Sequence, residues 1–165
     1  MSISWKKPAI IAGITLVVVL LDQLVKNYIV SNMSLYESIP IIKDIFHITY
    51  TKNSGVAFSM LSNIPASIRT PFFLVTNLAV ISVICWYFRD LIKKSLYVRV
   101  CFGLIIGGAL GNLIDRIRVG QVIDFLEVGI SQSLKWPIFN VADSCVSVGV
   151  VMILFYVVLN KEEVK

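Results

Sequence analysis

The stretch AIIAGITLVVVLLDQLVKNYIV, residues 9–30, decides the fold class. It is apolar all round for its first dozen residues, so it has no polar face to turn towards water. At 1.5 Å rise per residue its 22 residues reach about 33 Å, enough to cross the hydrocarbon core of a bilayer. Lys6 and Lys7 precede it, as in a secretory leader. No small-residue cleavage pattern follows, however, and Asp22, Gln23 and Lys26 interrupt its far end, so it reads as a retained helix.

Three further runs of the same kind follow at about 71–88, 98–114 and 138–159. The composition agrees: 57% of the 165 residues are hydrophobic and 15% charged, against about 25% charged in soluble domains. The expectation is one membrane domain over 1–165, an all-α integral membrane protein of four transmembrane helices. The net charge of +5 does not point to nucleic acid, because no basic cluster carries interleaved aromatics. The cations flank apolar runs instead, where membrane lipids are the expected partner. Cys85, Cys101 and Cys145 each lie in apolar sequence, without metal-ligand spacing, and read as inert thiols. No metal and no cofactor is expected, and a monomer is.

Eight cations (Lys6, Lys7, Arg89, Lys93, Lys94, Arg99, Lys161, Lys165) crowd two short tails and one short loop. Seven others are spread over two long connections, so both termini are expected in the cytoplasm. The first long connection holds IFHITYT, in which Phe46, Ile48 and Tyr50 alternate with polar residues, the period of a half-buried strand. With a turn at Asn53-Ser54-Gly55 and a return at Val56–Phe58, a small β element over about 35–60 is expected on the outer face. The second connection, about 115–137, reads as an outer loop.

Threaded through alternating helices, the polar residues fall at one depth. Asp22, Asn112, Asp115 and Asp143 come out roughly 20–26 Å above the inner edge, and Asn77 at a similar level. An ionisable group there costs about 2.5–3.5 kcal/mol on insertion scales, which makes each a functional candidate. Plain structural readings compete. Asp22 and Lys26, at i,i+4, could simply pair. Asp115 and Arg116, near a helix end, could reach the headgroups. Gly103, Gly107 and Gly111, with Gly108 and Asn112 on the adjoining face, suit close helix packing.

Five strings then occur in order: LDQLVK (21–26), KNSGVAFS (52–59), GGALGNLIDR (107–116), VIDF (122–125) and FNVADS (139–144). Together they resemble the prolipoprotein signal peptidase family, signal peptidase II. The resemblance implies a bacterial inner-membrane endopeptidase that removes signal peptides from diacylglyceryl-modified prolipoproteins, cutting before the lipid-modified cysteine. It implies an aspartyl pair, Asp124 and Asp143. It places Asn53, Gly108, Asn112, Arg116 and Asn140 around the site, and Asp22 and Lys26 in a supporting motif. Lys52 and Val56 stand where the family usually has Arg and Ala.

The chemistry is coherent in its own right. Two neighbouring carboxylates do not both ionise readily, so one can act as base while the other carries a proton. Lone His47 lies in the strand-like segment and reads as a packed or surface residue. The alternative from another class is a small proton- or ion-coupled transporter using intramembrane carboxylates. It would need a polar path through the inner half of the spans, which is apolar here, and repeated broken helices, which are absent from the pattern.

Overall fold

The computed structural model of the chain describes residues 6–54, 65–131 and 134–160. Its elements in chain order are α1 (Lys6–Asn32), β1 (Ser38–Ile42), β2 (Phe46–Asn53), α2 (Ala66–Tyr87), α3 (Arg89–Lys94), α4 (Leu96–Val119), β3 (Val122–Ser131), β4 (Leu134–Lys135) and α5 (Val141–Leu159). Among the described residues, three helices are long and apolar enough to cross a membrane: Pro8–Asn32, Leu96–Val119 and Val141–Leu159. In α2 the apolar stretch is the shorter Pro71–Tyr87.

Helix α4 is the hub. It begins at Ser95, whose side chain accepts a bond from the Val98 N–H, and ends at Gly120 in the left-handed region, φ 75°. Gly103, Gly107 and Gly111 face Ile14, Val18 and Asp22 of α1, while Gly108 faces α5. A Cβ on Gly108 would lie 2.3 Å from the Ala142 carbonyl oxygen, so only glycine allows α4 and α5 to approach this closely. The glycine spacing is therefore a packing device on two faces. At the other end, Leu91, Val98, Cys101, Phe102 and Ile153 form a buried apolar cluster.

The four strands form one antiparallel sheet in the order β1-β2-β3-β4. Here the architecture departs from expectation. The IFHITYT strand pairs on one side with β1, inside the expected element, and on the other with β3, drawn from the segment expected as an outer loop over 115–137, with Thr51 opposite Asp124 and Asn53 opposite Val122. The expected return at Val56–Phe58 lies outside the described residues. The reason for the misreading is visible in β3 itself. VIDFLEVGIS does not alternate cleanly, because Val122, Ile123, Asp124 and Phe125 are all buried and both faces of the strand are covered. Ile123 and Phe125 pack with Tyr50 and Ile29, which seats the sheet on the end of α1. The segment 115–119 is likewise helix rather than loop, so Asp115 and Arg116 are carried on α4.

Candidate active site

The site assembles where α1, α4, β3 and α5 converge. Asn140 is the N-cap of α5 and fully buried. Its Oδ1 accepts from the Asp143 backbone N–H at 2.9 Å, while the Asp143 carboxylate accepts from the Asn140 N–H at 3.3 Å, a reciprocal capping box. Its Nδ2 is then free to face outward from the helix, and it donates to Asp124 Oδ1 at 2.7 Å. One buried amide thus ties the two predicted catalytic aspartates to each other across a β-strand and a helix.

Each aspartate has a second amide donor. Asn53 Nδ2, at the end of β2, donates to Asp124 Oδ2 at 3.0 Å. Asn112 Nδ2, on α4, donates to Asp143 Oδ1 at 2.7 Å. The Asn112 Oδ1 accepts in turn from Asn140 Nδ2 and from Lys26 Nζ, both at 3.0 Å. Asp124 is buried, and burial pushes its carboxyl up from 3.8 to about 7. The Asn53 and Asn140 bonds oppose that rise and the neighbouring charge of Asp143 adds to it. Asp143 is half-buried and opens onto two cavities.

The larger cavity, about 750 Å³, is lined by β3, β4 and α5, including Ile130, Trp136 and Val148. The smaller, about 420 Å³, lies among α2, α4 and α5 and includes Ile84, Asn112 and Arg116. Asp143 and Ser147 line both. Arg116 lies 4.7 Å from the Phe73 ring centroid and donates to the Asn112 carbonyl at 3.4 Å. Gly108, grouped with the site by sequence, serves it through helix approach. His47 sits in β2 opposite Glu127, whose carboxyl is held below its usual range by bonds from Lys135 and Thr49.

Beneath the aspartates is a layer that sequence reading caught only in part. Asp22 and Lys26 do pair, at 2.8 Å, and both are buried. Asp115, placed in the polar layer with a headgroup reading competing, is also buried and bonds the same Lys26 Nζ at 2.8 Å. Gln23 Nε2 donates to Asp115 Oδ1 at 2.9 Å. The layer reading holds for a simple cause: β3 folds over the end of α4 and gives Asp115 the Ile123 backbone N–H, at 3.1 Å, in place of solvent. The side chain of Asn77 lies outside the described residues.

Comparison with known proteins gives one answer. The sequence model of Signal peptidase (SPase) II matches residues 14–159. A lipoprotein signal peptidase of Halothermothrix orenii is 46% identical over 143 residues, covering 87% of this chain and 91% of that one. Its counterpart in Syntrophus aciditrophicus is 40% identical over 159 residues, covering 96% and 98%. A bacterial membrane enzyme structure obtained by the in meso method at 2.3 Å resolution superposes with a TM-score of 0.76 at 31% identity, over 94% of this chain and 91% of that one. The transporter alternative finds no support among them. The chain therefore belongs to the signal peptidase II family of aspartic-type membrane peptidases.

Proposed function

We propose that this chain removes the signal peptide from diacylglyceryl-modified prolipoproteins, cutting before the lipid-modified cysteine, with Asp124 and Asp143 as the catalytic pair. The observation that carries the reading is the Asn140 bridge. Its side-chain amide donates to the Asp124 carboxylate and its backbone N–H to the Asp143 carboxylate, so one residue holds two carboxylates from separate elements beside an apolar cavity, one of them pushed by burial up to about 7. A carboxyl in that range can hold a proton near neutral pH while its neighbour is ionised. The ionised member takes a proton from a water whose oxygen attacks the scissile carbonyl carbon. The protonated member donates to the carbonyl oxygen. Collapse of the tetrahedral intermediate breaks the C–N bond, the proton taken from water passes to the leaving nitrogen, and a hydroxyl proton of the intermediate returns to the carboxylate that had donated.

The four-span layout with both termini in the cytoplasm belongs to the same reading. Helix α2 has 22 residues, about 33 Å of helix, and so has the length of a fourth span. The sheet then lies at the outer face, with Tyr36, Ile130 and Trp136 exposed towards the headgroups. The two cavities at Asp143 would hold the apolar stretches of the substrate. Arg116, at the rim of the smaller one, would meet its polar backbone.

The test is cleavage of a diacylglyceryl-modified prolipoprotein by purified protein in detergent, with chelator present. Wild type should cut before the modified cysteine, and folded Asp124→Asn and Asp143→Asn should be inert. Cutting by either folded variant sinks the aspartyl assignment.

A further inference from the structure

Asp124 and Asp143, 19 residues apart in sequence, sit on different elements, so their separation is set by how β3 is held relative to α5. Each is anchored in the same way through the residue just before it. The Ile123 backbone N–H donates to Asp115 Oδ2 at 3.1 Å. The Ala142 backbone N–H donates to Asp22 Oδ1 at 3.0 Å. Asp115 is on α4 and Asp22 on α1, and a single ammonium joins them: Lys26 Nζ lies 2.8 Å from each carboxylate. Its third N–H goes to Asn112 Oδ1 at 3.0 Å, and Asn112 holds Asp143. All three donors of the ammonium are thereby used, and every one leads to the dyad.

Building on the assignment of Asp124 and Asp143 as the catalytic pair, we propose that Lys26 is a positioning residue for the reaction. It clips Asp22 to Asp115 and so fixes the spacing between the backbones that carry the two aspartates. Stability does not require such a cluster. Buried ion pairs carry a desolvation cost that often cancels their attraction, and apolar replacements of similar volume are frequently neutral or better. What an apolar side chain cannot do is join two carboxylates of different helices at a defined distance. The Asp22 end has a further role, since it satisfies an orphan N–H in the first turn of α5, where negative charge is favoured.

The test separates clip from scaffold. Lys26→Met alone strands two buried carboxylates and should lower folded yield. In the triple variant Asp22→Asn, Lys26→Met, Asp115→Asn those charges are gone, while each Asn oxygen can still accept its backbone N–H. The triple variant should therefore recover a monodisperse, thermally stable protein, yet keep kcat at least about tenfold below wild type with KM within about twofold. Slackening the pair weakens the mutual repulsion of its carboxylates, and the variant also sheds the charges of Asp22, Asp115 and Lys26, of which the ammonium holds Asp124 down, so the alkaline limb of kcat/KM should leave its wild-type position. A stable triple variant with wild-type kcat overturns the proposal. So does a lowered kcat with an unmoved limb, which reports only a smaller active fraction. Asp124→Asn and Asp143→Asn run alongside: if both are inert, a failed triple-variant result removes the clip alone, and if either cuts, the dyad itself falls.

Discussion

Replacing Asn53 by Ala tests the electrostatics of Asp124 without touching either aspartate. Its amide donates to Asp124 Oδ2 at 3.0 Å and is the strongest of the influences that hold the Asp124 carboxyl down against burial. A hydrogen bond to a charged group contributes about 1.5–3 kcal/mol. Asn53 is half-buried, so water can restore part of the loss, and the lower end applies. At 1.36 kcal/mol per pH unit, the alkaline limb should rise by about one unit from its wild-type position. The sign follows from the chemistry. In the proposed mechanism the active pair holds one proton, the limb is loss of that proton, and losing a donor to the ionised form makes the loss harder. The assay is kcat/KM against pH from about 5 to about 9, which reports the free enzyme. The plateau should also fall, because Asp124 loses one of its two side-chain amide anchors. A limb that stays in place, or moves down, refutes the reasoning.

The other predictions follow from the same geometry. Because Asp124 titrates at about 7 when folded and at 3.8 otherwise, the folded chain binds more protons between those values. Its contribution to stability is therefore most favourable below about pH 4 and is lost as pH rises through 7. The melting temperature in detergent should be higher at about pH 5 than at about pH 8, and Asp124→Asn should flatten that slope. Gly108→Ala places a methyl 2.3 Å from the Ala142 carbonyl, a backbone atom that cannot yield alone, so α4 and α5 must part. A loss of about 1–3 kcal/mol or more is expected, read as a lower melting temperature together with lower turnover. Ser147→Leu adds bulk one turn beyond Asp143 on the wall shared by both cavities. It should raise KM for the prolipoprotein about tenfold with a smaller effect on kcat, measured in the cleavage assay.

How far the sequence could be read depended on which contacts decide each element. Apolar runs gave α1 and α5 to within three residues at each end, because a span's length is set by the bilayer and not by a neighbour, whereas α4 runs five residues past its apolar run. The strand around Phe46–Tyr50 was legible because its alternation is local, although of its apolar side only Tyr50 is fully buried. β3 was not, because a strand covered on both faces loses the period that marks it. With β3 went the true framework of Asp124, which pairs with Thr51 rather than hanging in a loop. Asp115 stood open between the polar layer and the headgroups for a related reason. Proximity to a helix end suggests water, and only the tertiary fold reveals that β3 closes that end.

The buried carboxylates at this level divide by partner. Asp22 and Asp115 each meet the Lys26 ammonium at 2.8 Å. The side-chain donors to Asp124 and Asp143 are neutral amides, those of Asn53, Asn140 and Asn112. Charge-assisted bonds to an ammonium are about twice as strong as neutral ones, and they make a carboxylate a fixed structural anion. Amide donors orient a carboxylate and still leave room for a proton in the pair. A cation placed directly on Asp124 or Asp143 would favour two ionised members and remove the proton donor that acyl cleavage needs. The Lys26 charge instead reaches Asp143 through the Asn112 amide, whose Oδ1 takes the ammonium and whose Nδ2 holds the carboxylate. The pairing of Asp22 with Lys26 and the catalytic reading of the aspartates are thus two halves of one arrangement: the ammonium is bonded to the supporting carboxylates, and neutral amides to the pair.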